Sequence, residues 1–301
     1  MINITSRFYN KNNIKNPTFD VDRQKFFLKP NDIILPLGGC FLDFFVYYLH
    51  KSGYKICTDN KRNKPHYNEK FRFFYGNFVN PLNLLDNLER IILKKWFFKE
   101  SDYLFSEPFN TFINLFLKAR VKTNKLEYLK RRIEEIDKYL LSEIKNAKVI
   151  ILAFESNEVW VDKKSGKAWY SFYGNYASQE PYKKLGKFIS MNFNQTYNTL
   201  NKIIKLTEKL GRKKNFILLS TSHPISETYL NQDIKISENY SKSVLSAALY
   251  ELSNRKNISY FPAFEMINMY PKSKVLKQDY RYIGENGQIY LINLFKQMYL
   301  S

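Results

Sequence analysis

The stretch "NDIILPLGGCFLDFF", residues 31–45, decides the fold of this chain. Its first half, from Ile33 to Leu37, is a continuous apolar run of the kind that forms strands buried on both faces. Gly38 and Gly39 follow at once, and the apolar pattern then resumes from Cys40 to Phe45. The pattern predicts a strand, a tight turn and a helix, and such turns in α/β proteins often present a nucleophile or bind an anion.

Further apolar runs alternate with helical periodicities along the chain. Core strands are predicted at 32–37, 148–154, 215–220 and 258–264, with a fifth candidate at 71–76. Helices are predicted at 124–146, with Asn124 as N-cap, and at about 190–210, 240–254 and 286–299. This alternation indicates βαβ units with right-handed crossovers. We therefore expect one α/β domain over residues 1–301, with three layers and a parallel sheet of about five strands between helices on both faces.

Composition favours a folded protein with a strong positive charge. The 301 residues are 44% hydrophobic and 17% aromatic, and the net charge is +20. A basic chain suggests nucleic-acid binding. However, the lysines are scattered among Glu, Asp and Asn, and no Lys/Arg block of five or more occurs. Compositional drift explains the charge at least as well, so no nucleic-acid partner is expected.

The sequence carries none of the common signals for export or membrane insertion. Only two cysteines are present, Cys40 and Cys57, which do not make a disulfide framework. The N-terminus lacks the apolar core of a signal peptide. The longest uncharged-looking run, 33–50, contains Pro36 and Asp43, which argue against a membrane span. A soluble, cytoplasmic protein without a membrane span is expected.

Ligand sites in open α/β sheets lie beyond the carboxyl ends of the strands. The residues that follow the predicted strands are Gly38 to Cys40, Gly76 and Asn77, Glu155 to Glu158, Ser222 to Pro224, and Glu265. A hairpin turning at Lys164-Ser165-Gly166 begins an insertion at about 158–186, which is long enough to cover that edge as a flap.

Several of these segments resemble, in order, the blocks of the GSCFA family. "LGGCFLDFF" resembles its Gly-Ser-Cys-Phe-Ala signature. The other matching segments are "YGNFVNPLNLLDNLER", "AFESNEVWVDKKSG", "LLSTSHPISETY", "SKSVLSAA", "YFPAFE" and "QDYRYIG". The resemblance covers about residues 30–295. It implies a flavodoxin-like fold similar to the Ser-Gly-Asn-His hydrolases, which act on esters, often of carbohydrates, and include acyltransferases.

The resemblance also implies positions for the site residues. The family's nucleophilic Ser falls on Gly39, and its terminal Asp-x-x-His falls on Asp279 and Tyr282. The oxyanion donors would be the backbone at Gly39, Gly76 (or the neighbouring Asn77) and the Asn157 amide. Gly39 has no side chain, and a tyrosine with an ordinary pKa near ~10 is a poor base at neutral pH. The Ser/His pair is therefore absent.

Four other residues are candidates for moving protons or attacking a carbonyl. Cys40 would stand at a helix N-terminus, where a thiol pKa is lowered, but the family carries Cys here alongside its Ser, which favours a buried packing role. His223 follows a predicted strand and is a substitute imidazole or a loop histidine bonded to backbone. Glu158 is a base, a ligand for sugar hydroxyls, or a loop cap. Asp279 is a candidate orienting carboxylate or a structural partner of Tyr282.

Neither a metal nor a cofactor is predicted. No His/Cys cluster has the spacing of metal ligands, and no dinucleotide or Walker motif occurs. Two functional hypotheses follow. The first is a hydrolase-like GSCFA protein of ester-hydrolase or O-acyltransferase ancestry that acts on a saccharide or acylated small molecule with an altered site. The second is a non-catalytic protein of the same fold that binds such a ligand.

Overall fold

A computed structural model describes residues 25–39, 41–57, 78–106, 111–117, 120–121, 125–170, 184–221, 225, 228–278 and 282–300. Its centre is a parallel sheet of five strands, in the order β10-β9-β6-β1-β2. These strands are β1 (Ile33–Gly38), β2 (Lys55–Ile56), β6 (Val149–Phe154), β9 (Asn215–Ser220) and β10 (Ile258–Tyr260). Numbered along the chain, the order is 2-1-3-4-5, which is the flavodoxin-like arrangement.

The sheet is buried because its central strands are apolar on both faces. All six residues of β6 are buried, as are five of the six in β1. The two strands pair in parallel, with Leu37 opposite Leu152 and Gly38 opposite Ala153. Covering both faces requires helices on each side, which is the three-layer α/β architecture that the sequence predicts.

Two groups of helices supply those outer layers. On one side, α1 (Leu42–Lys51) packs with the C-terminal helix α8 (Glu285–Tyr299), which also contacts the short helices α6 (Ala263–Asn268) and α7 (Lys272–Val275). On the other side, neighbouring helices pack in the order α3-α2-α4-α5. These are α2 (Pro81–Leu93), α3 (Leu126–Asn146), α4 (Phe193–Glu208) and α5 (Ile234–Leu252).

Several predicted boundaries differ from the observed ones, for local reasons. The last core strand ends at Tyr260, not 264, because Pro262 precedes a helix that begins at Ala263. Helix α5 begins earlier than predicted, because the Asp233 side chain caps it by accepting from the Lys235 N–H at 2.7 Å. The fifth strand of the sheet is β2, whereas the candidate at 71–76 lies outside the described residues.

Two antiparallel units extend from this core. Strands β3 (Tyr103–Ser106), β4 (Thr111–Asn114) and β5 (Arg120–Val121) form a small sheet that the sequence analysis missed. Strand β7 (Glu158–Asp162) pairs with β8 (Gly186–Ser190). Between them the chain turns at Gly166, whose φ is +69°, and the Asp162 N–H donates to Lys167 O at 2.9 Å. Among the helices in the described ranges, none is long and apolar enough to cross a bilayer.

Candidate functional site

Three segments converge at the carboxyl ends of β1 and β6. The Phe78 N–H donates to Gly38 O at 2.8 Å, and the Glu155 N–H donates to Val79 O at 2.9 Å. The segment around residues 78–80 therefore runs between the Gly38-Gly39 turn and the loop 155–158, which we call the β6 loop. At this turn Gly38 also permits the close approach of β6, because a β-carbon on Gly38 would lie 2.0 Å from Ala153 O. Of the strand-end residues predicted from the sequence, Gly38, Gly39 and Glu155 thus lie at one edge.

The Glu155 side chain occupies the space beside Gly39. A β-carbon on Gly39 would lie 2.0 Å from Glu155 Oε1 and 2.7 Å from its carboxyl carbon. Glu155 itself is buried, with 7% of its surface exposed. Atoms cannot approach so closely, so a side chain at position 39 requires the Glu155 carboxylate to move. The space beside Gly39 is therefore filled by a carboxylate from the β6 loop.

A fully buried lysine, which the sequence analysis did not single out, holds the ends of β6 and β9 together. Lys242 of α5 donates from Nζ to Glu155 O at 2.6 Å and to Thr221 O at 2.9 Å. Burial lowers the pKa of Lys242 to about 8, although the charges of Glu155 and Glu238 favour the protonated form. The sequence signal was a lysine on the otherwise small and apolar face of "SKSVLSAA".

Hydroxyl groups fix the conformation of the β6 loop. Ser241 Oγ accepts from the Asn157 N–H at 2.9 Å and lies 3.2 Å from Ser156 Oγ. Ser156 Oγ in turn accepts from the Glu158 N–H at 2.9 Å. Ser241 and Lys242 are adjacent on α5, so this one helix holds both the loop backbone and the strand ends.

The side chain of Asn157 points into the protein. Asn157 is 0% exposed, and its Nδ2 donates to Met191 O, while Ser190 Oγ donates to its Oδ1 at 3.5 Å. The amide therefore attaches the β6 loop to the end of β8. Its role as an oxyanion donor stays a prediction, and that role would require the amide to leave Met191.

A second asparagine, Asn80, joins the three segments through hydrogen bonds. The sequence analysis did not single it out as a site residue. Its Nδ2 donates to Ser156 O at 3.0 Å and to Glu158 O at 3.1 Å. Its Oδ1 accepts from the Leu82 N–H at 2.7 Å and so caps α2. The sequence did contain a signal for this cap, because an Asn followed by a Pro is typical of the N-cap and first position of a helix.

Glu158 and Trp160 lie two residues apart on β7, so both point to the same face of that strand. Glu158 is 8% exposed, and in the described part of the chain neither of its carboxylate oxygens has a hydrogen-bond partner of good geometry. Burial raises the pKa of Glu158, and the nearby hydroxyls of Thr228 and Ser237 offset part of that rise. A buried carboxyl group with a raised pKa can accept hydrogen bonds from the hydroxyl groups of a ligand, or it can transfer a proton.

An aromatic cluster surrounds Trp160. The Trp160 ring centroid lies 5.1 Å from that of Tyr229, 5.4 Å from Phe188 and 6.1 Å from Trp169. The indole N–H groups of Trp160 and Trp169 are buried and have no hydrogen-bond partner among the described residues. Aromatic rings with unpaired donors beside an acceptor carboxyl offer both surfaces that a sugar ring requires, an apolar face and hydrogen-bonding groups.

The other residues predicted for the site, apart from Tyr282, lie outside the described residues. They are Cys40, Gly76, Asn77, His223 and Asp279.

Tyr282, at the position of the family's His, is 42% exposed. Its carbonyl accepts from the Lys277 N–H at 2.7 Å, and the Lys277 ammonium lies 5.9 Å from its ring centroid. In the part of the chain that the structure describes, no group of three His, Cys, Asp or Glu side chains is placed to hold a metal ion.

A comparison with protein-family models identifies the family of this chain. The GSCFA family model matches residues 33–295, and the chain therefore belongs to the GSCFA family. No functionally curated protein matches the sequence significantly.

Solved structures give weaker likenesses of fold. A family 3 carbohydrate esterase of Clostridium thermocellum aligns with a TM-score of 0.40 at 10% identity, covering 88% of this chain and 94% of the esterase. A catalytic mutant of an acetylxylan esterase of Geobacillus stearothermophilus aligns with a TM-score of 0.38 at 12% identity, covering 91% and 96%. Scores of this size decide nothing about the reaction of this chain.

Proposed function

We propose that this GSCFA protein is a non-hydrolytic member of the hydrolase-like fold, which binds a saccharide or acylated saccharide at the strand-end edge. One observation carries the proposal, namely the Glu155 carboxylate in the space that a nucleophile at position 39 would need. A Ser/His mechanism requires a hydroxyl within reach of an imidazole. The proposal takes the alignment that the resemblance implies, in which Gly39 offers no hydroxyl and Tyr282 stands at the position of the imidazole.

The ligand would contact the face of β7 that carries Glu158 and Trp160. The Glu158 oxygens and the indole N–H groups of Trp160 and Trp169 have unused hydrogen-bonding capacity. Leaving such groups buried and unpaired costs about 1–3 kcal/mol each, and ligand hydroxyls that pair with them would recover part of that cost. The Phe188 and Tyr229 rings supply the apolar surface beside them.

Two assays test the proposal together. Purified protein is incubated with an aryl acetate and with acetylated oligosaccharides, and acetate release is measured for the wild type, Cys40→Ala, His223→Ala and Asn157→Ala. We expect no release above the uncatalysed background in any form. Binding of the same oligosaccharides is measured by isothermal titration calorimetry. We expect binding by the wild type and at least roughly tenfold weaker binding by Glu158→Gln, with exposed Glu127→Gln as the matched control.

A second candidate function is ester hydrolysis by an altered site. The observation in its favour is the buried Glu158 carboxyl, whose pKa burial raises, as is common for a general acid. In that mechanism Glu158, His223 or Cys40 would move protons or attack the ester. Acetate release by the wild type that is lost in His223→Ala or Glu158→Gln would establish this function and overturn the proposal above.

A further inference from the structure

A chain of hydrogen bonds leads to Glu158 from the start of α5 and the loop before it. The Gln232 side chain donates from Nε2 to Ser237 Oγ at 2.5 Å, and Ser237 Oγ donates to Thr228 Oγ1 at 3.1 Å. The Leu230 N–H also donates to Thr228 Oγ1, at 3.2 Å. We call Gln232, Ser237 and Thr228 the donor chain, because each member donates to the next and the Thr228 hydroxyl interacts with the Glu158 carboxyl.

The direction of the donor chain follows from the groups that it contains. An amide nitrogen and a backbone N–H can only donate, whereas a hydroxyl has one hydrogen and two lone pairs. Thr228 Oγ1 accepts from both Ser237 and Leu230, so its lone pairs are used and its hydrogen remains to be donated. Burial raises the pKa of Glu158, and the Thr228 and Ser237 hydroxyls act against that rise, as donors to a carboxylate do. The donor chain therefore treats Glu158 as an acceptor.

The backbone of Glu158 is fixed by other contacts. Its carbonyl accepts from Asn80 Nδ2 at 3.1 Å, and its N–H donates to Ser156 Oγ at 2.9 Å. The orientation of the carboxyl group is left for the donor chain to set. Within the described ranges, no group makes a hydrogen bond of good geometry to either carboxyl oxygen. Lone pairs of a buried acceptor therefore remain for a ligand, and they require a ligand that donates.

We propose that the site at Glu158 selects the free hydroxyl groups of a saccharide over its O-acylated positions, with Thr228 as the residue that positions Glu158 as an acceptor. The inference rests on the proposed function above and narrows its ligand from any saccharide, acylated or not, to the unacylated form. Gln232 and Ser237 act only through Thr228, because they orient its hydroxyl.

The chemistry of the two ligand forms explains this selection. A free sugar hydroxyl donates to a carboxylate oxygen. An O-acyl group has lost that hydrogen, and its carbonyl oxygen would place a second acceptor against the Glu158 carboxyl. The indole N–H groups of Trp160 and Trp169 can donate to either kind of oxygen, so they bind both forms and do not distinguish them.

The test compares two forms of the same ligands by calorimetric titration of the full chain. Acetylated xylo-, cello- and manno-oligosaccharides are each measured before and after chemical deacetylation. We expect the wild type to bind a deacetylated form at least roughly tenfold more tightly than its acetylated form, which is the usual effect of a hydrogen bond to a charged group. Equal affinity for both forms, or tighter binding of the acetylated form, overturns this inference and leaves the proposed function standing. Absence of binding to every saccharide in both forms overturns the proposed function, and this inference with it.

Variants of Thr228 separate positioning from packing. Thr228→Val keeps the shape of the side chain without its hydroxyl, and should weaken binding of the deacetylated form roughly three- to tenfold while changing that of the acetylated form less than about twofold. Thr228→Ser restores the hydroxyl and should restore the affinity. An equal loss for both ligand forms, or Thr228→Ser that behaves like Thr228→Val, contradicts the positioning role.

A second variant tests the donor chain from a solvent-exposed position, where folding is less at risk. Gln232→Ala removes the first donor and should weaken binding of the deacetylated form roughly two- to fivefold. The matched control is Asn231→Ala, which truncates the exposed neighbouring side chain. Equal affinities of these two variants for the deacetylated form would overturn the role of the donor chain, whether or not Thr228→Val folds.

Discussion

The carboxylate of Glu155 lies where a side chain of residue 39 would begin, with 2.0 Å between Oε1 and the β-carbon position of Gly39. The same residue gives its backbone carbonyl to the buried ammonium of Lys242. Glu155 thus connects the altered turn to the buried lysine, and the two features form one arrangement. Any side chain at position 39 therefore requires the Glu155 carboxylate to move.

The close approach of Gly39 and Glu155 predicts that substitutions at these two positions have non-additive effects on the free energy of unfolding. Gly39→Ala should lower the free energy of unfolding by about 1–3 kcal/mol, because it overpacks the turn against Glu155. In the Glu155→Ala background the same substitution should cost much less. Urea unfolding of the four forms in a double-mutant cycle measures the coupling, and additive effects within about 0.5 kcal/mol would contradict the predicted contact.

The buried ammonium of Lys242 predicts a rise of stability at alkaline pH. Its pKa is about 8 in the folded protein and 10.5 ordinarily. Between these values the unfolded chain binds more protons, so the free energy of unfolding increases with pH, by roughly 3 kcal/mol in total. The cost of burying the charge is present in full below pH 8.

Lys242→Met should abolish that rise, whereas Lys235→Met, an exposed lysine on the same helix, should retain it. Guanidinium unfolding from pH 7 to 10.5, expressed as the difference between wild type and each variant, isolates the contribution of Lys242. Parallel pH profiles for the wild type and Lys242→Met would show that the lysine does not lose its proton in this window.

Asn80 combines two roles that substitutions can separate. Asn80→Ser keeps a capping oxygen for α2 but loses both donor bonds to the β6 loop, and should cost about 1–3 kcal/mol. Asn80→Ala loses the cap as well and should cost about 1 kcal/mol more. The exposed N-cap of α4 is the comparison, because Asn192→Ala removes a cap without bridging bonds. Thermal unfolding ranks the variants, and equal stability of Asn80→Ser and wild type would refute the bridging role.

Glu158 predicts a pH dependence of opposite sign to that of Lys242. Burial raises its pKa above the ordinary 4.5, so the folded protein keeps a proton that the unfolded chain has lost. The stabilising contribution of the protonated Glu158 carboxyl should therefore be fully present below pH 4.5. It should be lost as the pH rises through the pKa that Glu158 has in the folded protein. Glu158→Gln should remove this fall, and Glu127→Gln should not. Urea unfolding between pH 4 and 8 measures both, and a wild-type profile identical to that of Glu158→Gln would exclude the shift.

Periodicity predicted the core well where the pattern is long and continuous. The strands at 33–38, 149–154 and 215–220 and the helix at 126–146 fall within two residues of the predicted limits. Prediction was poorer for the two-residue strand β2 and the antiparallel sheet β3 to β5, since short strands carry little periodic signal. Helix α2 was missed because the block that contains it was interpreted by resemblance and not by its cap.

The candidate site was predictable in place but not in detail. Parallel strands bring their carboxyl ends to one edge, so the meeting of the Gly38-Gly39 turn with the loop after β6 follows from the strand order. The orientation of Asn157 toward Met191 does not follow, because a side-chain rotamer depends on partners distant in the chain. Lys242 was overlooked for the same reason, since its partners lie 21 and 87 residues away.

By itself, the sequence determined the absence of a hydroxyl at position 39, the α/β layering and the order of the family's blocks, because chain composition and local periodicity contain that information. Only the tertiary structure decided what lies beside Gly39. The Glu155 carboxylate occupies that space, and Lys242 binds the carbonyl of the same residue. Such contacts depend on the three-dimensional packing of distant segments, and a linear pattern does not specify it.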